Sequence, residues 1–215
     1  MRSVLTPALA LLAALWMPVA AHSRDVAGRF DYYILALSWQ PAWCSRTGDA
    51  RGAAECAPGT GRGFTVHGLW PQNEEGWPEY CRSRHRDPSR RETAAMADVM
   101  GSAGLAWHQW QKHGRCSDLP AAGYFDATRQ AAGSIAIPEI LERLPRDVSL
   151  PPLVIEQAIL EANPMLEADG VTVICRDGAL TELCICLTRD LEPRRCAPDV
   201  RRDCGRARIV MEAPR

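Results

Sequence analysis

The sequence predicts an α+β domain: an antiparallel sheet with surrounding helices, stapled by disulfides. Two observations carry the fold class. Aromatic and aliphatic runs near both ends of the chain read as strands, and the segments between them have helical composition. A third concerns its stabilisation. Nine cysteines follow a leader-like N-terminus, which implies an oxidising compartment and a disulfide framework. The 215 residues suit one ordinary domain, and no linker-like stretch, internal repeat or low-complexity tract argues for two.

Residues 1–21 read as a secretory signal peptide. Arg2 supplies positive charge, Ala8 to Trp16 is a short apolar core, and Val19-Ala20-Ala21 offers small residues for cleavage before His22. The apolar stretch is short for a membrane span and is broken by Pro18. Residues 22–215 then form the single domain, periplasmic or secreted, with no membrane contact beyond the leader. Phe30 to Trp39 reads as a buried strand stopped by Pro41, and Ala42 to Gly63 as a glycine-containing loop. Gly63 to His67 reads as a short strand, and Gly68 to Pro88 as a long polar loop with three prolines.

Pro88 to Met100 has helical composition, with Glu92 in its first turn. Trp107 to His113 reads as a short helix closed by Gly114 in the capping position. In such a helix Gln109 and His113 share one face, as do His108 and Lys112. Ala121 to Ala132 and Pro151 to Ala162 are further helices. Val171 to Arg176 and Leu180 to Thr188 read as paired strands around an Asp177-Gly178 turn, and Ala207 to Met211 as a last strand.

The formal net charge of −1 gives no global electrostatic case for a polyanion partner. Arginines do cluster around His85 and again in the C-terminal part, where they serve equally well as a solvated face or a binding patch. His22 and His85 read as a mature N-terminus and a surface residue. Cys184-Ile185-Cys186 is a close pair, but no second pair stands at metal-ligand spacing, and His108 and His113 are five apart. No metal or other cofactor is expected. Nine cysteines leave at least one thiol free or paired outside the chain.

Two segments carry the chemistry: Phe64-Thr65-Val66-His67-Gly68-Leu69-Trp70-Pro71 and Trp107-His108-Gln109-Trp110-Gln111-Lys112-His113-Gly114-Arg115-Cys116. Lys112 is the only lysine in the chain. Two imidazoles and a fixed cation suit phosphoryl transfer, in which one group takes a proton, another gives one, and charge builds on phosphate oxygens. The combination points to metal-independent cleavage of RNA.

His-Gly-Leu-Trp-Pro and Lys-His-Gly-x-Cys resemble the motifs of the RNase T2 family of exported endoribonucleases. Phe30 to Trp39 is similar to the family's opening strand. Cys175, Glu182, Ile185-Cys186 and Cys196 to Cys204 are similar to its closing strands and cysteines, so the resemblance covers most of residues 30–211. It implies attack of the ribose 2′-hydroxyl on the adjacent phosphorus, leaving a 2′,3′-cyclic phosphate. His67 and His113 are then the acid–base pair, with His113 the base and His67 the acid. Lys112 stabilises phosphoryl charge, and His108 binds phosphate.

Trp70 stands where the family stacks a base, and equally reads as core. Gln72 replaces an acidic base-reading residue of some relatives, so low base specificity is expected. The chain departs from the pattern at Gln109, where the family carries glutamate; an amide cannot hold negative charge or accept a proton. The resemblance also implies the bridges Cys81–Cys116, Cys175–Cys204 and Cys186–Cys196, with Cys44–Cys56 a bacterial-type loop bridge. Cys184 is then unpaired, expected on the strand face opposite Cys186 and buried in the core. The expected partner is RNA, bound by a monomer. The rivals are an RNA- or partner-binding protein on the same fold, weakened in catalysis by Gln109, and a cysteine-rich zinc protein.

Overall fold

The computed structural model describes residues 25–215; the signal peptide, its cleavage point and His22 lie outside them. Six strands form one sheet: β1 (Tyr32–Trp39), β2 (Phe64–Gln72), β3 (Val148–Leu150), β4 (Val171–Arg176), β5 (Ala179–Leu187) and β6 (Ile209–Met211). The main path runs β2-β1-β5-β6-β3, with β4 paired to β5. All pairings are antiparallel except a parallel contact of β5 with β6 at Ala179 and Val210. The α+β class holds.

Seven helices accompany the sheet: α1 (Gln40–Trp43), α2 (Arg90–Ala95), α3 (Ala97–Met100), α4 (Ala103–Lys112), α5 (Ala121–Gly133), α6 (Glu139–Glu142) and α7 (Pro152–Ala162). One sheet face carries Tyr33, Leu35, Leu37, Leu183 and Ile185, packed with Met96, Met100, Trp110, Tyr124, Ile155 and Ile159. This face holds most of the buried apolar surface that stabilises the domain. The other face carries Tyr32, Ile34, Ala36, Cys184 and Cys186 beneath Cys196 and Ala197. Alternation along β1 and β5 sorts the residues between the two faces.

Several expectations change. Residues 68–72, read as loop, continue β2 to Gln72. Pro71 is tolerated there because β2 is an edge strand, where a missing N–H breaks no central ladder. The 42–63 segment begins inside α1 and continues through a π-helical turn at Cys44–Gly48 before its loop. The 88–100 helix starts on a Ser89–Glu92 capping box and divides at Met96 into α2 and α3. The short strand β3 and helix α6 carried too little periodic signal to be read from sequence.

Helix α4 begins at Ala103, four residues earlier than read, because the Ser102 hydroxyl accepts from the Leu105 N–H at 3.2 Å. Gly114 is not a left-handed cap; it opens a 3₁₀ turn whose end, Asp118, holds the positive φ of 59°. Its lack of a side chain has a different cause. A Cβ there would lie 2.6 Å from the Trp110 ring and 2.9 Å from Tyr124. Four disulfides join Cys44–Cys56, Cys81–Cys116, Cys175–Cys204 and Cys186–Cys196. Cys184 is free and buried. It shares a face with Cys186, against the expectation from sequence, because strand residues two apart point the same way.

Candidate active site

A cleft of about 530 Å³ opens on the sheet face away from the main core. Its walls come from three parts of the chain. Strands β1, β2, β4 and β5 give Ile34, His67, Trp70, Gln72, Ile174, Glu182 and Cys184; α4 and the turn after it give His108, Gln109, Lys112 and His113. Loops supply Trp77, Asp199, Val200 and Arg202. All seven catalytic or RNA-binding candidates named from the sequence line it.

A bulge in β2 makes this possible. Ala36 pairs with Gly68 and Leu37 with Val66, so His67 is an extra residue opposite β1. Residues three apart on a regular strand point to opposite faces; the extra residue resets the alternation. His67 and Trp70 therefore both face the cleft, while Val66 and Leu69 both face the main core. Gly68, between them, leaves room for α4. A Cβ there would sit 2.3 Å from Gln109 Oε1 and 2.5 Å from Trp70 Nε1. Gly68→Ala is expected to displace that contact and lower kcat/KM on the order of 100-fold on RNA. Wild-type kinetics in the variant would overturn this role.

Trp70 organises the centre. Its indole N–H donates to Gln109 Oε1 at 2.7 Å. Its ring stacks on His113 at 5.2 Å and 25°, and meets the edge of His67 at 5.1 Å. The two imidazoles thus flank one indole. Trp70 is half-buried and engaged on both sides, so it positions the pair as well as lining the cleft. Gln109, 2% exposed, is fixed by that bond and by its place one turn before His113.

The two histidines have opposite surroundings. His113 is 5% exposed, and its Nδ1 is buried with no hydrogen-bond partner among the described residues. Burial, then the neighbouring Lys112, His67 and His108, push its pKa down to about 3. His113 is a neutral imidazole at ordinary pH. His67 Nδ1 instead lies 2.6 Å from Glu182 Oε1, which fixes the ring and supplies a counter-charge when it is protonated. Glu182 had no role assigned from sequence. A carboxylate facing away from the core in an otherwise apolar strand was its signal.

Lys112 lies 3.5 Å from Glu79, whose loop the Cys81–Cys116 bridge ties to the turn after α4. Tyr80 N–H donates to the Lys112 carbonyl at 2.8 Å, a second tie. His108 is exposed at the rim. Gln72 Oε1 is buried without a partner among the described residues, at the far end from Glu182. Trp77, 56% exposed at the mouth, is an aromatic surface that sequence reading missed because it stands in a loop of glycine and proline. His85 lies outside the cleft and, contrary to the surface reading, is partly buried with Nε2 3.0 Å from the Asp118 carbonyl. Burial, then Glu182, holds the Cys184 thiol well above the usual range, so it stays protonated.

The Ribonuclease T2 family model matches residues 30–196, which contain every cleft histidine. A ribonuclease of Aeromonas hydrophila is 39% identical over 111 residues, covering 52% of this chain and 49% of that protein. A probable ribonuclease of Haemophilus influenzae is 29% identical over 129 residues, covering 54% and 47%. The matched region thus spans about half the length of these relatives. An RNase-related protein from Calystegia sepium superposes with a TM-score of 0.69 at 20% identity, covering 86% of this chain and 98% of that one. RNase NT in complex with 5′-AMP gives 0.64 at 24%, covering 86% and 98%. At such identities these two establish the fold. With most of its length matched by the family model, the chain belongs to the Ribonuclease T2 family.

Proposed function

We propose that the protein is an exported, metal-independent endoribonuclease that cleaves RNA through a 2′,3′-cyclic phosphate with low base specificity. One observation carries the reading: a neutral, desolvated His113 and a carboxylate-paired His67 flank the same indole in one cleft. The unprotonated ring suits the base and the counter-charged ring suits the acid.

In the proposed step, His113 removes the proton of the ribose 2′-hydroxyl. The 2′-oxygen bonds to phosphorus as the bond from phosphorus to the 5′-oxygen breaks, and His67 gives that oxygen its proton. Lys112 and His108 offset charge on the non-bridging oxygens. Trp70 and Trp77 offer ring surface to bases, which stacking accepts without strong preference. The Gln72 amide can both donate and accept, so it imposes no single base pattern. The leader-like N-terminus and four disulfides support a periplasmic or secreted site of action.

A binding protein on the same fold is the rival, motivated by Gln109. It has no chemical need for two differently tuned imidazoles. The test is incubation of the oxidised protein with a defined oligoribonucleotide in EDTA, with products analysed by mass, beside His67→Ala. Cyclic-phosphate ends that vanish in the variant are expected. Bound but uncut RNA across mildly acidic to neutral pH would establish the rival instead.

A further inference from the structure

His67 and Glu182 do not end the cleft; they are a wall shared with a second groove of about 440 Å³. Together with Ile174 they line both spaces. Beyond them the second groove is formed by Ser38, Trp43, Arg46, Thr47, Arg176 and Thr181. None of Trp70, Gln72, Lys112 or His113 reaches it. The two spaces therefore lie on opposite sides of the proposed acid.

The charge of this second groove is distinctive. Arg46 and Arg176 line it, and its carboxylate, Glu182, is already engaged by His67. Arg46 leans on the Arg176 carbonyl at 3.4 Å and pairs with Asp177 at 2.6 Å. Asp177 is 75% exposed, and an ion pair in such a position is worth at most about 1 kcal/mol, so an incoming phosphate can recruit Arg46. A smaller groove of about 160 Å³ also touches His67, but it carries Glu55 and no cation, which disfavours a phosphate there. Neither Arg46 nor Arg176 belongs to either sequence motif.

We propose that the second groove carries the RNA strand on the 3′ side of the cleaved bond, with Arg46 and Arg176 holding a downstream phosphate. The polarity rests on the function proposed above, in which His67 protonates the departing 5′-oxygen. The nucleotide bearing that oxygen must leave past His67, away from Trp70 and Gln72. The cleft with Trp70 takes the 5′ side, and the groove with the two arginines takes the 3′ side. Phosphate contacts of this kind add affinity and salt dependence without reading sequence.

The test uses substrates with a single ribonucleotide, so that only one bond can be cut: the dinucleotide, the same unit extended by two deoxynucleotides on the 3′ side, and the same unit extended on the 5′ side. In the parent protein the 3′ extension is expected to raise kcat/KM about tenfold. In Arg46→Ala/Arg176→Ala that ratio falls towards one, and the salt slope of binding drops by about 0.7 for each phosphate lost. Asp177→Asn, which releases Arg46, raises the ratio. A 3′ gain that survives in the double variant, or a loss confined to the 5′-extended substrate, overturns the proposal.

Binding of an all-deoxy oligonucleotide, measured by anisotropy, separates the groove from the catalytic function. Length-dependent binding that is lost in the double variant, with no cleavage of any substrate, would leave the groove standing and remove the catalytic function. Cleavage of the dinucleotide with no length dependence does the reverse.

Discussion

His113→Gln is expected to lower kcat on RNA by about 10²–10⁴-fold while changing KM little, the range that loss of a positioned general base produces. Glutamine retains hydrogen-bonding capacity at the buried position but cannot take the 2′-hydroxyl proton. The same variant should alter how stability depends on pH. In the folded protein the His113 pKa is pushed down to about 3, against an ordinary value of 6.5. Between those values the unfolded chain binds a proton that the folded chain refuses, so stability falls as pH falls. It is fully present above pH 6.5 and lost progressively towards pH 3, by as much as about 5 kcal/mol in all. Urea unfolding at pH 7.5 and 4.5 measures it. The parent should lose markedly more stability on acidification than the variant; equal losses would show that His113 is not held neutral by its burial.

Gln109→Glu is expected to raise turnover on the order of tenfold and to move the acid limb of the kcat/KM profile upward. The side chain lies one helical turn before His113 and touches the Trp70 indole that stacks on it. A carboxylate there can accept the same indole N–H, and it adds the negative charge that an amide lacks. That charge favours an imidazolium at His113 and brings the base closer to the operating pH, where general-base catalysis is most effective. A pH–rate profile of both proteins decides the matter. Unchanged turnover with an unmoved acid limb would mean that the amide is as competent as the acid, and that the reduced base strength of His113 does not limit the reaction.

Much of this was legible in the sequence because it depended on local pattern. The aromatic run of β1, the Asp177-Gly178 turn between β4 and β5 and the helical composition of α5 and α7 each identify an element over a few residues. The cleft residues were found because two short motifs contain nearly all of them. What escaped depended on pairing between distant segments. Glu182 acquires meaning only when β5 is set beside β1, and Trp77 only when its loop is brought over α4. The two arginines of the second groove come from α1's π-helical extension and the end of β4, 130 positions apart. No one-dimensional spacing marks them as neighbours. The reach of β2 past His67 was missed because glycine and proline usually interrupt a strand, whereas here one accommodates α4 and the other sits at a free edge.

The slipped pairing of β1 and β2 also limits how the His-Gly-Leu-Trp-Pro segment can be transplanted. Written into an ordinary hairpin, the same five letters would place the imidazole and the indole on opposite sides of the ribbon, and one of them would be lost to the interior. The motif works only with a partner strand one residue shorter across it, as Ala36 and Leu37 provide. Its reactivity is in this sense a property of two strands, and a designer borrowing it would have to borrow the neighbour as well.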